Sequence, residues 1–275
     1  MGLNIVCTAK PCDGLLYYSY EYCCYLNSIG VPTTLVIVNH PHFTVEDYFN
    51  SIAQKYISIQ NVVFNDIDED EVTLIMGRSM MTHAYKNRKS YSIDQLLILH
   101  LAFKRKVLSV YSENHPQEYQ EALNYFCPEE VVDLCDYDVY PNGVGKHFEK
   151  RIYFDIYKPI ERAQEFTYLF NGTNQEYYDA AKAVIHKYNS HGVMIYDIGV
   201  VDADLNFLIV PITNLLGKFD TYVYTKTIND PAPRIIQECK YYNKPIIFEA
   251  TNRGAEVYYN RPIQTPDVEN ILNEL

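Results

Sequence analysis

The sequence has no tryptophan, only 11 glycines among its 275 residues, and no long apolar run. No stretch approaches the roughly 18 consecutive apolar residues that a membrane span needs, and the first residues lack the basic start of a signal peptide. Charged residues make up 21% of the chain, so the composition does not indicate disorder. We therefore expect a cytoplasmic protein with no membrane partner, and no feature indicates an obligate protein partner.

The seven cysteines show no spacing typical of a zinc site. We expect reduced thiols, most of them buried, and no bound metal. The first turn between a predicted strand and helix contains one glycine, Gly14, instead of the three of a dinucleotide fingerprint. A nicotinamide cofactor is therefore disfavoured, and we expect no bound cofactor.

Short β-branched runs alternate with helical patterns along the whole chain. Residues 3–38 read strand, turn, helix, strand, which is one βαβ unit, and Gly30 stands where a helix C-cap glycine is expected. The run 139–143 predicts a strand end that enters a turn. The alternation restarts at about residue 166, and its predicted strands include residues 207–210. This predicts an α/β fold with two doubly wound domains, 1–155 and 156–275.

Asp13 lies at the carboxyl end of the first predicted strand, where open α/β sheets place ligands. Its carboxylate could orient or deprotonate an acceptor hydroxyl, or it could only cap the following helix. The sequence leaves both interpretations open. Gly14, the next residue, lets a ligand approach the backbone and the helix N-terminus.

The segment 225–250 carries the most informative pattern. Asp230 and Pro231 precede a predicted helix whose first turn holds Arg234, and Glu238 lies one turn further on the same face. An arginine near a helix N-terminus suits a diphosphate, and a carboxylate at the depth of Glu238 could accept hydrogen bonds from ribose hydroxyls. The alternative is an intrahelical Arg234–Glu238 ion pair, worth about a few tenths of a kcal/mol.

Several of these segments resemble retaining glycosyltransferases of the GT-B class. Residues 139–148 are similar to that family's PNGV-x-x-x-F segment, and residues 238–247 are similar to its E-A-x-A-x-G-x-P-V-I segment. Asp230 and Glu238 are spaced as in its E-x7-E motif, and residues 13–30 resemble its N-terminal GG…L…GH-x-V element. The resemblance implies two Rossmann-like domains that face each other across a cleft, with a nucleoside diphosphate sugar, first of all a UDP-sugar, as co-substrate.

The resemblance also implies roles for individual residues. Glu238 would hold the donor ribose, Asp230 would hold the transferred sugar, and Gly14 would lie close to the diphosphate. Transfer would be metal-independent and would retain the anomeric configuration. Where the family has an arginine and a lysine for the diphosphate, residues 173–177 read Thr-Asn-Gln-Glu-Tyr. Three cations are candidates for the missing contact: Arg234, which would then be catalytic together with Asp13, and Lys226 and Arg253.

The predicted first domain would hold the acceptor. Polar side chains that follow its predicted strands are candidates for this contact: His40, His42, His83, Glu113 and His115. The net charge is −12, yet the window 78–106 has seven basic residues and one acid, a local charge of +6. Such an island is either a solvated surface or a phosphate-binding face. In the second case Arg78 would contact the acceptor, and Tyr85 and Tyr91 could stack on an extruded base.

The small size, the Tyr- and Asn-rich composition and the compact loops resemble glycosyltransferases of large tailed phages, some of which modify hydroxylated pyrimidines in phage DNA. Three hypotheses follow. The first is transfer of glucose, or of a pentose such as arabinose, to 5-hydroxylated cytosine in double-stranded DNA in the host cytoplasm. The second is a GT-B enzyme acting on a glycan or small molecule. The third is a non-catalytic nucleotide-sugar-binding module.

Overall fold

The computed structural model describes residues 2–112, 116–163, 165–171, 175–188, 193–196, 216–227 and 233–275. The chain is an α/β protein that divides into two compact units. The first unit comprises residues 1–157 and 264–275, and the second comprises residues 158–263. Each unit contains its own parallel sheet.

The described strands of the first unit are β1 (Leu3–Cys7), β2 (Thr33–Ile37), β3 (Val62–Phe64), β4 (Val72–Ile75), β5 (Lys106–Val110), β6 (Glu130–Cys135) and β7 (Lys146–His147). Its described helices are α1 (Gly14–Ser28), α2 (Val45–Lys55), α3 (Ser79–Lys86), α4 (Ile93–Ala102) and α5 (Pro116–Phe126). The sheet is parallel throughout, in the order β3-β2-β1-β4-β5-β6-β7. The first six strands follow the Rossmann order.

The centre of this sheet explains why the first βαβ unit is readable from the sequence. Strand β1 is buried along its whole length, as expected for a parallel strand with both faces covered. Asp13 caps α1 by accepting a hydrogen bond from the Leu15 backbone N–H at 2.7 Å. Gly30 has a φ of +87° just beyond the end of α1, which confirms the predicted C-cap glycine.

The second unit contains strands β8 (Phe166–Asn171), β9 (Val193–Tyr196), β10 (Phe219–Tyr224) and β11 (Ile246–Phe248). Its described helices are α6 (Gln175–Val184), α7 (Arg234–Tyr241) and α8 (Arg253–Asn260). The sheet is parallel in the order β11-β10-β8-β9. This is a second Rossmann-like element in the same chain.

The chain returns to the first unit at its C-terminal segment, which carries the short helix α9 (Glu269–Leu272). The Asn270 side chain donates a hydrogen bond to the His147 carbonyl at 2.7 Å. The Lys106 ammonium donates to the Glu274 carbonyl at 3.0 Å. These contacts fix the segment against β5 and β7.

Two features differ from the sequence-based prediction. Residues 139–143 lie in turns, because the preceding strand, β6, already ends at Cys135. Strands β6 and β7 and the helices α2, α3, α8 and α9 were not predicted. The predicted strand 207–210 lies outside the described residues.

Among the described residues, no helix is long and apolar enough to cross a lipid bilayer. All seven cysteines lie in described segments and are free thiols, and five of them are buried, as expected from the sequence.

Candidate functional site

The carboxyl edge of the first sheet is organised by the turn that follows β1. The Thr8 hydroxyl donates a hydrogen bond to the Met80 carbonyl at 2.7 Å, which ties this turn to α3. Cys12 adopts a left-handed φ of +62°, and its backbone N–H donates to the Ser51 hydroxyl at 2.8 Å. Such a conformation is uncommon for a residue with a side chain and is frequent at ligand-binding turns. Asp13 follows directly and caps α1, which is one of the two roles that the sequence left open for it.

The turn after β2 brings histidines to the same edge. The Tyr48 hydroxyl accepts a hydrogen bond from the His40 backbone N–H at 2.9 Å and donates one to the Ala9 carbonyl, also at 2.9 Å. It thereby clamps the turns after β1 and β2 together. The His42 backbone N–H donates to His40 Nδ1 at 3.4 Å, and the two imidazole rings are 5.1 Å apart.

The environment keeps the imidazoles of His40 and His83 neutral. Burial, together with the nearby His42, Lys10 and His83, lowers the pKa of His40 to about 4. Partial burial of its ring also lowers the pKa of His83, a residue that is otherwise exposed at the surface; Lys86 and Lys10 add to this effect, while Asp13 and Glu118 oppose it. The structure therefore brings Asp13, His40 and His83 together at one edge of one sheet, with Lys10 among them.

Arg78 is held between two aromatic rings. Its guanidinium carbon lies 4.3 Å from the Tyr111 ring centre and 4.7 Å from that of Tyr119, and its Nη2 is 2.6 Å from the Asp133 carboxylate. The Arg78 charge is therefore balanced by Asp133 within the first unit. Glu113 and His115, the other predicted acceptor contacts, lie outside the described residues.

Most of the cations in the basic island 78–106 are likewise paired with carboxylates. Besides Arg78–Asp133, four further ion pairs involve its cations: Lys86–Glu118 at 2.6 Å, Arg105–Asp70 at 2.7 Å, Lys106–Glu130 at 4.0 Å, and Lys106 with Glu274. Arg88 lies 4.0 Å above the Tyr85 ring. Of the seven cations, Arg88, Lys89 and Lys104 are the ones that form no ion pair within the described part of the chain.

The two tyrosines of this island are also engaged. The ring of Tyr85 packs against that of Tyr125 at 5.6 Å, and Tyr91 is buried. Neither ring presents an open face to a base in this structure.

At the carboxyl edge of the second sheet, Lys226 follows β10 and is only 9% exposed. Its ammonium lies 4.4 Å above the Tyr177 ring of α6, a cation–π distance. The Asn252 side chain donates hydrogen bonds to the Lys226 carbonyl at 3.3 Å and to the Tyr224 hydroxyl at 2.6 Å. The same amide accepts from the Ala255 backbone N–H and caps α8. One asparagine thus fixes the strand end that carries Lys226.

Helix α7 begins at Arg234, and its first turn carries a buried pair of opposite charges. Arg234 is 8% exposed and Glu238 is fully buried, with Arg234 Nη2 3.5 Å from Glu238 Oε1. The structure thus contains the intrahelical Arg234–Glu238 ion pair that the sequence left as an alternative, and both of its partners are buried. Arg253, the first residue of α8, is exposed. Asp230 lies outside the described residues.

Three residues of these edges were not predicted: Lys10, Tyr177 and Asn252. Lys10 lies in the turn that had been singled out for Asp13 and Gly14, so its position alone could have identified it. The other two become visible only when the sheet is assembled, because Tyr177 and Lys226 are 49 positions apart in the chain.

Chemically, the two edges differ. The first offers an ammonium, a carboxylate and neutral imidazoles, and the second offers buried cations beside a buried carboxylate. Within the described segments, no group of three or more His, Cys, Asp or Glu side chains could hold a metal ion.

No protein-family model and no curated protein sequence matches this chain.

Proposed function

We propose that the protein is a glycosyltransferase of the GT-B class that moves a sugar from a nucleoside diphosphate, first of all UDP, to an acceptor hydroxyl. The observation that carries the proposal is the buried Arg234–Glu238 pair at the start of α7. It lies at the carboxyl edge of an open parallel sheet, where ligands bind in such folds. Burying two charges is costly, and a ligand that uses both gives a reason to retain them.

In this proposal the second unit binds the donor. The Glu238 carboxylate accepts hydrogen bonds from the ribose hydroxyls, while Arg234 and Lys226 face the diphosphate, with Arg253 at the entrance. The bond between the sugar C1 and the phosphate oxygen breaks, and the diphosphate leaves with the electron pair. Positive charge placed where the leaving group becomes more negative lowers the barrier.

The first unit would bind and activate the acceptor. The acceptor oxygen forms the new bond to C1, and its proton passes to Asp13 or to the neutral imidazole of His83. Gly14 leaves the backbone beside Asp13 accessible to the donor. In the GT-B arrangement the two edges face each other across a cleft, so that both substrates meet there.

For the acceptor, we propose a glycan or small molecule ahead of DNA. Four of the seven cations in the island 78–106 are paired with carboxylates, and the tyrosines proposed for stacking are packed. A DNA-binding face releases counterions and loses affinity steeply with salt. If the protein binds duplex DNA and loses affinity a thousandfold between 50 and 200 mM salt, DNA becomes the favoured acceptor.

The testing experiment is a thermal-unfolding screen against nucleoside diphosphates and their sugars. A ligand at 100 times its Kd adds about 2.7 kcal/mol to the free energy of unfolding. We expect stabilisation by one diphosphate, which is lost in Glu238→Gln and kept in Glu256→Gln, a change at an exposed glutamate of α8. Stabilisation of both variants alike would contradict the site. Binding of a nucleoside diphosphate sugar without release or transfer of its sugar would favour the hypothesis of a non-catalytic binding module.

A further inference from the structure

Four basic side chains gather at the carboxyl edge of the first sheet. Lys10 follows β1, His40 and His42 follow β2, and His83 lies on α3, which follows β4. The clamps described above hold these elements in place: Tyr48 joins the turns after β1 and β2, and Thr8 joins the first turn to α3 one turn before His83. We call these four residues the His–Lys cluster.

The charges around the cluster are mostly of one sign. Lys10, His42 and His83 each oppose protonation of His40. His83 faces Lys10 and also Lys86 of its own helix, and it faces the carboxylates Asp13 and Glu118. Of these carboxylates, Asp13 is engaged in capping α1, and Glu118 is paired with Lys86 at 2.6 Å. Protonation of the imidazoles would thus bring positive charge from three neighbouring elements to one place.

One donor of the cluster can be assigned to a ring nitrogen. His40 Nδ1 accepts a hydrogen bond from the His42 backbone N–H, so the proton of the neutral ring is assigned to Nε2, which is a donor. Lys10 is exposed and supplies a full positive charge. Donors that converge from several sides fit the several oxygens of a tetrahedral oxyanion.

We propose that the His–Lys cluster binds a phosphate ester group of the acceptor, next to Asp13. This inference rests on the proposed glycosyltransferase function, and it identifies the acceptor as a phosphorylated molecule. Binding of the anion replaces the repulsion among the cations by attraction, so it favours the protonated imidazoles. Protons are then taken up by His40 and His83 when the anion binds, which leaves Asp13 as the base for the acceptor hydroxyl.

The experiment follows the Cε1–H signals of all eight histidines by NMR from pH 4 to 8, with His40→Gln and His83→Gln used for assignment. The first probe is sulfate, whose charge is constant over this range, compared with chloride at equal ionic strength. We expect sulfate to raise the pKa of His40 and His83 and to leave that of His147, an exposed histidine outside the cluster, unchanged. In Lys10→Met the sulfate-dependent increment falls, and the affinity for sulfate drops about fivefold or more.

Lys89→Met is the matched control, because Lys89 is an exposed lysine of the same unit that lies outside the cluster. It should behave like the unaltered protein. Equal shifts in chloride, no shift at all, or an undiminished sulfate effect in Lys10→Met would each overturn the proposal. Methyl phosphate distinguishes the sources of the anion: an effect like that of sulfate supports an ester group, and an effect of the inorganic ion alone refutes the assignment to the acceptor.

The same samples separate this inference from the proposed function. A sulfate effect without any binding of a nucleoside diphosphate would keep the anion site and reject the transferase. Binding of a nucleoside diphosphate that depends on Glu238, without a sulfate effect on the histidines, would keep the transferase and reject the phosphorylated acceptor.

Discussion

Arg234 Nη2 lies 3.5 Å from Glu238 Oε1, one helical turn away, and both side chains are buried. A buried pair of this kind responds to mutation differently from a surface pair. Removing one partner leaves the other charge in a poorly solvated place, which costs about 3 kcal/mol or more. An exposed intrahelical pair is worth only about 0.3–0.5 kcal/mol.

The first prediction concerns this pair. Arg234→Met and Glu238→Gln should each lower the free energy of unfolding by about 3 kcal/mol, measured by urea denaturation. The double variant should lose clearly less than the sum, because neither charge is then left behind. Arg253→Met, at an exposed arginine, should change stability by less than about 0.5 kcal/mol. Additive costs in the double variant would show that the two side chains do not act together.

The second prediction concerns Lys226 and its contact with Tyr177. If Lys226 meets the diphosphate, Lys226→Met should weaken binding of a nucleoside diphosphate about tenfold and leave binding of the nucleoside almost unchanged. Titration calorimetry with both ligands measures this difference.

Lys218→Met provides the comparison, because Lys218 belongs to the same unit but lies at the surface in a pair with Glu165. Its affinity for the diphosphate should remain that of the unaltered protein. Equal weakening of nucleoside and diphosphate binding by Lys226→Met would indicate damage to the fold around β10 rather than loss of a phosphate contact.

The sequence predicted the strongly apolar elements well and the short polar ones poorly. Strand β1, helix α1 and strand β2 were found because a continuous β-branched run and a C-cap glycine mark them. Helix α3 was missed because it has only eight residues and no side-chain cap. Helix α2, with 11 residues and a capping box at Thr44, carries a signal that the prediction overlooked. The start of β6 is only partly buried, so its pattern lacks the apolar run of a central strand.

Parts of the candidate site could not be read from local sequence. The basic island looked open because the carboxylates that neutralise it come from distant positions, such as Asp133 for Arg78 and Glu274 for Lys106. The cation–π contact between Lys226 and Tyr177 likewise joins α6 to the end of β10. By contrast, Arg234 and Glu238 were predicted as neighbours because helical periodicity alone places them on one face.

The third prediction follows from the lowered pKa of His40. The folded protein holds this pKa at about 4, whereas an unfolded chain has a histidine pKa near 6.5. As the pH falls from about 6.5 to 4, the unfolded state takes up a proton that the folded state does not, so the free energy of unfolding falls. Below about 4 the effect levels off.

His40→Gln should remove this component, which we place at about 1 kcal/mol because part of the ring contacts water. Urea denaturation at pH 7, 5.5 and 4.5 measures the difference between the two proteins. His147→Gln should keep the pH dependence of the unaltered protein, because His147 is an exposed residue far from this cluster. An identical pH profile for His40→Gln and the unaltered protein would contradict the assignment.

The last prediction concerns Glu21, a fully buried carboxylate of α1. Its Oε1 accepts hydrogen bonds from the hydroxyls of Tyr56 and Tyr157, both at 2.7 Å. The Lys55 ammonium lies 5.2 Å from the Tyr157 ring. Because a hydrogen bond to a charged acceptor contributes about 1.5–3 kcal/mol, Tyr157→Phe should lower the free energy of unfolding by about 2 kcal/mol.

The matched change is Tyr153→Phe, because the Tyr153 hydroxyl forms no hydrogen bond to any described residue and its ring only packs against Tyr25. We expect this variant to lose less than about 0.5 kcal/mol. Since Tyr56 and Tyr157 donate to the same oxygen, the double variant Tyr56→Phe/Tyr157→Phe should lose a stability that departs from the sum of the single losses, because the two hydrogen bonds share one acceptor. Equal small losses in Tyr157→Phe and Tyr153→Phe would show that water replaces the tyrosine at Glu21. A large loss specific to Tyr157 would mean that the end of the segment 1–157 of the first unit is held in place by this buried carboxylate.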